Sequence, residues 1–146
     1  YRKVVRGGLG DRVNLVRGDA TRVPVADGST AAVTIAFGIR NVNEPALACA
    51  EMWRVLAHGG RLAILEFAVP TRPIVRGAYL WYFKRVLPLI GSLVSRHDSA
   101  YGYLPASVGA FYTPAEFTTM LQRAGFSTVE ARPLTFGIVV LYTARK

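Results

Sequence analysis

A chain of 146 residues, 51% hydrophobic and 11% aromatic, is long enough for one core-forming domain and too apolar for disorder. Its formal charge of +9 rests almost wholly on arginine, since lysine occurs only at Lys3, Lys84 and Lys146; the arginines are scattered, which suits an anionic membrane surface better than a nucleic-acid reader. The single cysteine, Cys49, excludes an intramolecular disulfide framework and any multi-cysteine metal site, and no apolar run reaches the roughly 18 residues of a membrane span.

Residues 1–9 read as the last turns of a helix, with Arg2, Lys3 and Arg6 near its carboxyl end and Gly7-Gly8 to stop it. A helix already ending there implies a beginning upstream. The alternation over 13–17 predicts a short strand, followed directly by Gly18-Asp19-Ala20. At the end of a parallel strand Asp19 can accept hydrogen bonds from a ligand amine while the next backbone N–H serves a ring nitrogen; an Asp that caps a following turn fits equally. Asp27-Gly28-Ser29 is a turn signal.

The apolar, β-branched run Ala32-Val33-Thr34-Ile35-Ala36-Phe37, closed by Gly38, predicts a central parallel strand. Arg40 and Asn41 follow it, where open α/β sheets bind their ligands. A surface loop with a solvated Arg40 and a turn-forming Asn41 has the same local pattern. Asn43 as cap and Pro45 in the first turn predict a helix whose apolar face is Ala48, Met52, Val55 and Leu56, stopped by Gly59-Gly60. Cys49 lies within it and reads as a buried, inert thiol. Residues 61–69 predict a second buried strand, so the unit is βαβ and the sheet parallel. Glu66 near the end of that strand is either an acid/base group or the partner of an arginine.

Residues 73–108 break the rhythm. Tyr79, Tyr82, Phe83, Val86 and Leu87 mark an apolar helical face that Pro88 should interrupt, with Lys84 and Arg85 on another side. Such a segment suits a lid over an apolar substrate, a membrane-contacting element, or an ordinary core helix. The two histidines, His58 and His97, assemble neither a metal site nor a catalytic triad. Thr113-Pro114-Ala115-Glu116 is a capping box; Phe117, Met120, Leu121 and Ala124 are the buried stripe of its helix, and Gly125 ends it. Runs at 128–132 and 137–143 predict a terminal antiparallel pair.

In this register the chain resembles the ubiquinone/menaquinone biosynthesis C-methyltransferases. The matching runs include Gly18-Asp19-Ala20, Phe37-Gly38-Ile39-Arg40-Asn41-Val42, Glu51-Met52-Trp53-Arg54-Val55-Leu56, Leu65-Glu66-Phe67, Tyr101-Gly102-Tyr103-Leu104-Pro105 and Leu134-Thr135-Phe136-Gly137. The resemblance implies a class I, Rossmann-like α/β methyltransferase sheet of order 3-2-1-4-5-7-6, with strand 7 antiparallel. It implies S-adenosylmethionine as methyl donor, no metal, and a polyprenylated quinol as substrate. Asp19 and Ala20 correspond to the adenine-contacting pair, Ala36 to a cofactor contact that is usually serine, and Tyr101 and Tyr103 to the substrate pocket. Arg40 and Asn41 fall at the junction of cofactor and quinol. The glycine-rich loop after strand 1 and the ribose-binding acid after strand 2 correspond to positions before Tyr1. The expectation is therefore the carboxyl-terminal part of one methyltransferase domain over 1–146, lacking strands 1 and 2, with strand 4 presenting an open edge.

The implied reaction needs an adjacent hydroxyl of the quinol ring to lose its proton before the ring carbon attacks. Arg40 can hold the phenolate and Asn41 orient it, with the base left open among water, Glu66, His97 and a tyrosine. The expected setting is the cytoplasm, peripheral to the inner face of the membrane, with no nucleic-acid partner. A class I methyltransferase for another small molecule, and a non-catalytic remnant on anionic membrane, are the rival readings.

Overall fold

The computed structural model describes residues 4, 6–86 and 107–146. Four strands form one sheet in the order β1-β2-β4-β3, where β1 is Thr30–Ala36, β2 Leu56–Phe67, β3 Ser127–Leu134 and β4 Val139–Arg145. β1 and β2 run parallel, with Val33 opposite Leu62 and Ile35 opposite Ile64. β4 is antiparallel to β2 and β3 antiparallel to β4. This is the 4-5-7-6 part of the expected order, and the terminal antiparallel pair is present.

The crossover from β1 to β2 is α1, Pro45–Val55. Its buried face is Ala48, Cys49, Met52 and Val55, continued by Leu56 at the start of β2. Two boundaries differ from the expected ones. The N-cap position falls on Glu44 rather than Asn43, without a side-chain cap bond, because Pro45 takes the first helical position and holds the residue before it out of the helical conformation. The helix also ends at Val55, ahead of Gly59-Gly60, and β2 starts at Leu56 rather than at Arg61. The glycine pair instead meets the end of the chain. Gly59 N–H donates to Lys146 O at 3.0 Å, Lys146 N–H donates to Gly60 O at 3.1 Å, and Gly59 adopts φ +75°, where a Cβ is strained.

Residues 13–17 form no strand. A strand needs a hydrogen-bonding neighbour, and none of the described strands lies beside them; Leu15 and Val16 are 58% and 66% exposed. β1 is accordingly the outermost strand on its side, with Ala32, Thr34 and Ala36 exposed. The turn at the amino end does follow the expectation. Gly8 is left-handed, and Leu9 N–H closes a 3.0 Å bond to Val4 O, as at a glycine-terminated helix.

α2 (Pro73–Trp81) runs into a wider π turn at Tyr82–Val86. Tyr79 is its buried residue, whereas Ile74 and Trp81 are 88% and 64% exposed. The predicted break at Pro88, His97, and Tyr101 and Tyr103, expected in the substrate pocket, lie outside the described residues, as do the side chains of Phe83 and Lys84. Among the described residues no helix is long and apolar enough to cross a membrane.

α3 (Pro114–Arg123) opens with the expected capping box. The Thr113 N–H and hydroxyl donate to Glu116 at 2.8 and 2.7 Å, holding its carboxyl below the usual carboxylate range. Phe117 and Leu121 are buried, and the Phe117 ring meets Tyr142 edge-on at 4.9 Å and Phe111 at 5.3 Å. Gly125 ends the helix at φ +104° against Trp53, whose Nε1 would stand 2.8 Å from an added Cβ. β3 includes Pro133, which an edge strand tolerates because its outward side needs no donor.

α1 and α3 pack on each other and, respectively, on β2 and β4, enclosing a core that includes Ile39, Leu62, Ile64, Phe117 and Tyr142. Cys49 sits in this core with its thiol pushed up to about 12 by burial. At pH 8 iodoacetamide should therefore leave Cys49 unmodified in the folded chain and alkylate it in urea, as read by intact mass.

Candidate functional site

The site is built where β1 and β2 end side by side. Phe37 N–H still donates to Leu65 O at 2.8 Å, and Phe37 then adopts a left-handed conformation at φ 54° that turns the chain off the sheet. Ile39, fully buried, pins the short 3-10 turn Ile39–Asn41 into the core. That anchoring sets Arg40 toward β2.

On β2 the residues Leu62, Ile64 and Glu66 share the buried face, two apart along the strand. Glu66 is fully buried, and a buried carboxylate requires a cation and donors. Arg40 supplies them. Its Nη1 donates to Glu66 Oε1 at 2.6 Å and to Phe37 O at 2.9 Å, while its backbone N–H donates to Oε2 at 3.3 Å. Phe67 N–H adds a bond to Oε1 at 2.9 Å. The guanidinium carbon lies 5.5 Å above the Phe67 ring, which stacks in turn on Phe37 at 4.5 Å. Only 9% of the Arg40 side chain is exposed. The solvated-loop alternative for Arg40 is excluded, and of the two readings of Glu66 the ion pair is present.

One donor in this cluster is left over. Arg40 Nε is buried and has no hydrogen-bond partner among the described residues. Such a donor costs about 1–3 kcal/mol. Two phenols stand close by. The Tyr79 hydroxyl has its pKa raised by burial, against an opposing effect of the Arg40 charge. The Tyr142 hydroxyl is pushed up to about 12 by burial and by the Glu66 charge.

Two small cavities adjoin the turn. Asp19, Ala20 and Asn41 line one of about 310 Å³ together with Asn43 and Glu44. Arg40 lines the other, of about 240 Å³, with Phe111 and Tyr112, and the two cavities share Val42 and Asn43. The structure thus brings Asp19, Ala20, Arg40 and Asn41 around one short turn. Ala36, the exposed last residue of β1, lines neither cavity. A larger cleft of about 460 Å³ between α1 and α3 is lined by Ala46, Ala50 and Met120, and its ionic residues, Glu116 and Arg123, do not converge on a reacting position.

Asp19 makes a tight turn of its own. Its Oδ1 accepts from Thr21 N–H and Thr21 Oγ1, both at 2.8 Å, which lowers its carboxyl pKa. Asp19 is exposed, and its Oδ2 has no partner among the described residues. An exposed carboxylate acceptor fits an adenine amine. The segment is tied to α1 by Arg54, which donates to Val23 O at 3.0 Å and to Glu51 at 2.7 and 2.8 Å, and pairs with Asp27. Glu51 in turn accepts from Val23 N–H at 2.7 Å.

Tyr79, Phe111 and Tyr112 are members of this neighbourhood that the site reading from sequence did not include. For Tyr79 the signal was an apolar helical face, which cannot say what the face covers. For Glu66 the signal was sharper: an acid in phase with Leu62 and Ile64 must find a buried cation.

A family model described as the ubiE/COQ5 methyltransferase family matches residues 1–146. A demethylmenaquinone methyltransferase of Bacteroides fragilis is 42% identical over 144 residues, which is 99% of this chain and 59% of that protein. A ubiquinone/menaquinone biosynthesis C-methyltransferase of Syntrophotalea carbinolica is 46% identical over 132 residues, 90% of this chain and 55% of that protein. The chain thus spans a little over half the length of these relatives. The crystal structure of an S-adenosylmethionine-dependent methyltransferase from Aquifex aeolicus aligns with 99% of this chain and 60% of its own, at TM-score 0.63 and 17% identity, a likeness of fold.

Proposed function

We propose that this chain, which belongs to the ubiE/COQ5 methyltransferase family, carries the quinol-binding part of an enzyme that C-methylates the ring of a polyprenylated quinol. The observation that carries this reading is the Arg40–Glu66 pair, buried at the end of β1 and β2 beside a cavity that meets the Asp19–Asn41 cavity at Val42 and Asn43. The names of the relatives favour demethylmenaquinol as the substrate.

A quinol ring carbon becomes a sufficient nucleophile when a neighbouring hydroxyl is ionised. Arg40 is no base at ordinary pH, and its role is to donate hydrogen bonds to the ring oxygen as negative charge grows there. Asn41, on the same turn, orients that oxygen and lines the adjoining cavity. Phe111 and Tyr112 line the Arg40 cavity and help keep water from the reacting ring. S-adenosylmethionine, when bound, supplies the methyl group. Asp19 Oδ2 and the Ala20 backbone would hold its adenine end, and their closeness to Asn41 aligns donor and acceptor.

The prenyl tail gives α2 a role. Ile74 and Trp81 are seven residues apart on one helical stripe, turned away from buried Tyr79, with exposed Arg72 and Arg76 nearby. An apolar stripe flanked by cations suits the surface of an anionic bilayer, from which the tail is delivered.

Incubation of the whole enzyme that carries this chain with S-adenosylmethionine and extracted demethylmenaquinol should yield a product heavier by one methylene, read by mass spectrometry. Methylation of unrelated acceptors alone would overturn the quinol reading.

A further inference from the structure

Glu66 makes contacts that an ordinary buried ion pair does not need. It takes Nη1 of Arg40 on one oxygen and the Arg40 backbone N–H on the other, so the side chain and the turn that carries it are fixed together. Phe37 O takes Nη1 as well, and the Phe67 ring lies beneath the guanidinium. On the guanidinium itself these restraints act through Nη1 or the plane of the group. Nε and Nη2, which share the opposite edge, have no hydrogen-bond partner among the described residues, and Nε is buried. Two adjacent N–H donors on one guanidinium edge match a single anionic oxygen or a bidentate acceptor.

We propose that Glu66 is a positioning residue for Arg40: it fixes the guanidinium so that the donors of the Nε–Nη2 edge are left unpaired for the ring oxygen of the quinol, and its charge cancels that of Arg40. This inference rests on the quinol reading given above. An Arg40 balanced by Glu66 stabilises the oxygen through two directed N–H dipoles rather than through net charge. The degree of ionisation of the bound ring hydroxyl is therefore set by Glu66, which never touches it.

The other titratable groups of this neighbourhood are Tyr79 on α2, which lies near Arg40, and Tyr142 on β4, which lies near Glu66. Burial raises both, so both hydroxyls keep their protons through the neutral range. Neither supplies a limb to a pH profile there.

Glu66→Gln keeps the shape of the side chain and the acceptor for Phe67 N–H but removes the charge. Arg40 then faces the ring oxygen as an uncompensated cation, which favours the ionised hydroxyl. In the methyl-transfer assay the acid limb of the kcat profile should move about one pH unit lower. The plateau kcat should fall about tenfold to a hundredfold through looser alignment, with KM for the methyl donor unchanged. Glu66→Asp keeps the charge and shortens the reach, so it should lower kcat and leave the limb in place. A merely structural Glu66 would lower stability in both variants and move the limb in neither.

A second measurement needs neither turnover nor a variant of Glu66. With 15N-arginine labelling, the Nε–H signal of Arg40, identified by its loss in Arg40→Lys, should shift when 1-naphthol is added to the wild-type protein. An unmoved limb in folded Glu66→Gln, or an Arg40 signal indifferent to saturating 1-naphthol, overturns the inference. If demethylmenaquinol is methylated while the limb stays fixed, the positioning role alone falls. If no quinol is methylated while 1-naphthol still moves the Arg40 signal, the substrate reading falls and the open donor edge stands.

Discussion

Arg40→Leu should destabilise the chain by about 3–5 kcal/mol, measured as the change in free energy of urea unfolding at pH 7. The loss comes less from the missing attraction than from what is left behind. Glu66 is fully buried, and without the Arg40 side chain it retains, among the described residues, the Phe67 N–H and the weaker backbone bond at the turn. A carboxylate in that position has lost its solvent and its cation together. The double variant Arg40→Leu/Glu66→Leu should therefore recover most of the loss, because two apolar side chains of similar volume replace a pair whose desolvation cost was large. If the double variant is as unstable as the single one, Glu66 is not what makes Arg40 necessary to the fold. The comparison also separates stability from catalysis, since the double variant should fold and transfer no methyl group.

Phe117→Ala should cost a similar amount, about 3–5 kcal/mol, for a different reason. Phe117 is fully buried on α3, and its ring touches both Tyr142 of β4 and Phe111. Truncation removes apolar contact and leaves a cavity between helix and sheet that neighbouring side chains close only in part. The effect should reach the site as well. Phe111 lines the cavity beside Arg40, and Tyr142 lies near Glu66. Phe117→Leu, which fills more of the space, should lie between the wild type and Phe117→Ala in the same urea titration. Equal stability of all three would show that α3 contributes little to the core.

Some features of this molecule are legible residue by residue because short-range chemistry decides them. The capping box at Thr113 and Glu116 closes within one helical turn, so four residues specify it. β2 and α1 follow from an almost continuously apolar run and from a 3.6-residue stripe, and both are where those patterns place them, apart from their shared boundary. That boundary moved because Gly59 and Gly60 are engaged by Lys146, a partner more than eighty positions away. The strand expected over 13–17 is absent for a related reason: alternation describes a surface that can pair, and pairing needs a neighbour.

The residues of the site follow the same division. Local pattern places Arg40 and Asn41 just beyond an apolar strand, sets Asp19-Ala20 at a turn, and marks which family these runs resemble. It also determined that an acid at Glu66 lies in phase with Leu62 and Ile64. The folded chain brings Arg40 and Glu66, 26 residues apart, together at 2.6 Å, and leaves Arg40 Nε without a partner among the described residues. It alone placed Tyr79 of α2 near the same guanidinium. Local pattern records which face of an element is buried. Which charges then share that burial is fixed by the parallel register of β1 and β2 and by Ile39, which turns Arg40 back over the end of the sheet.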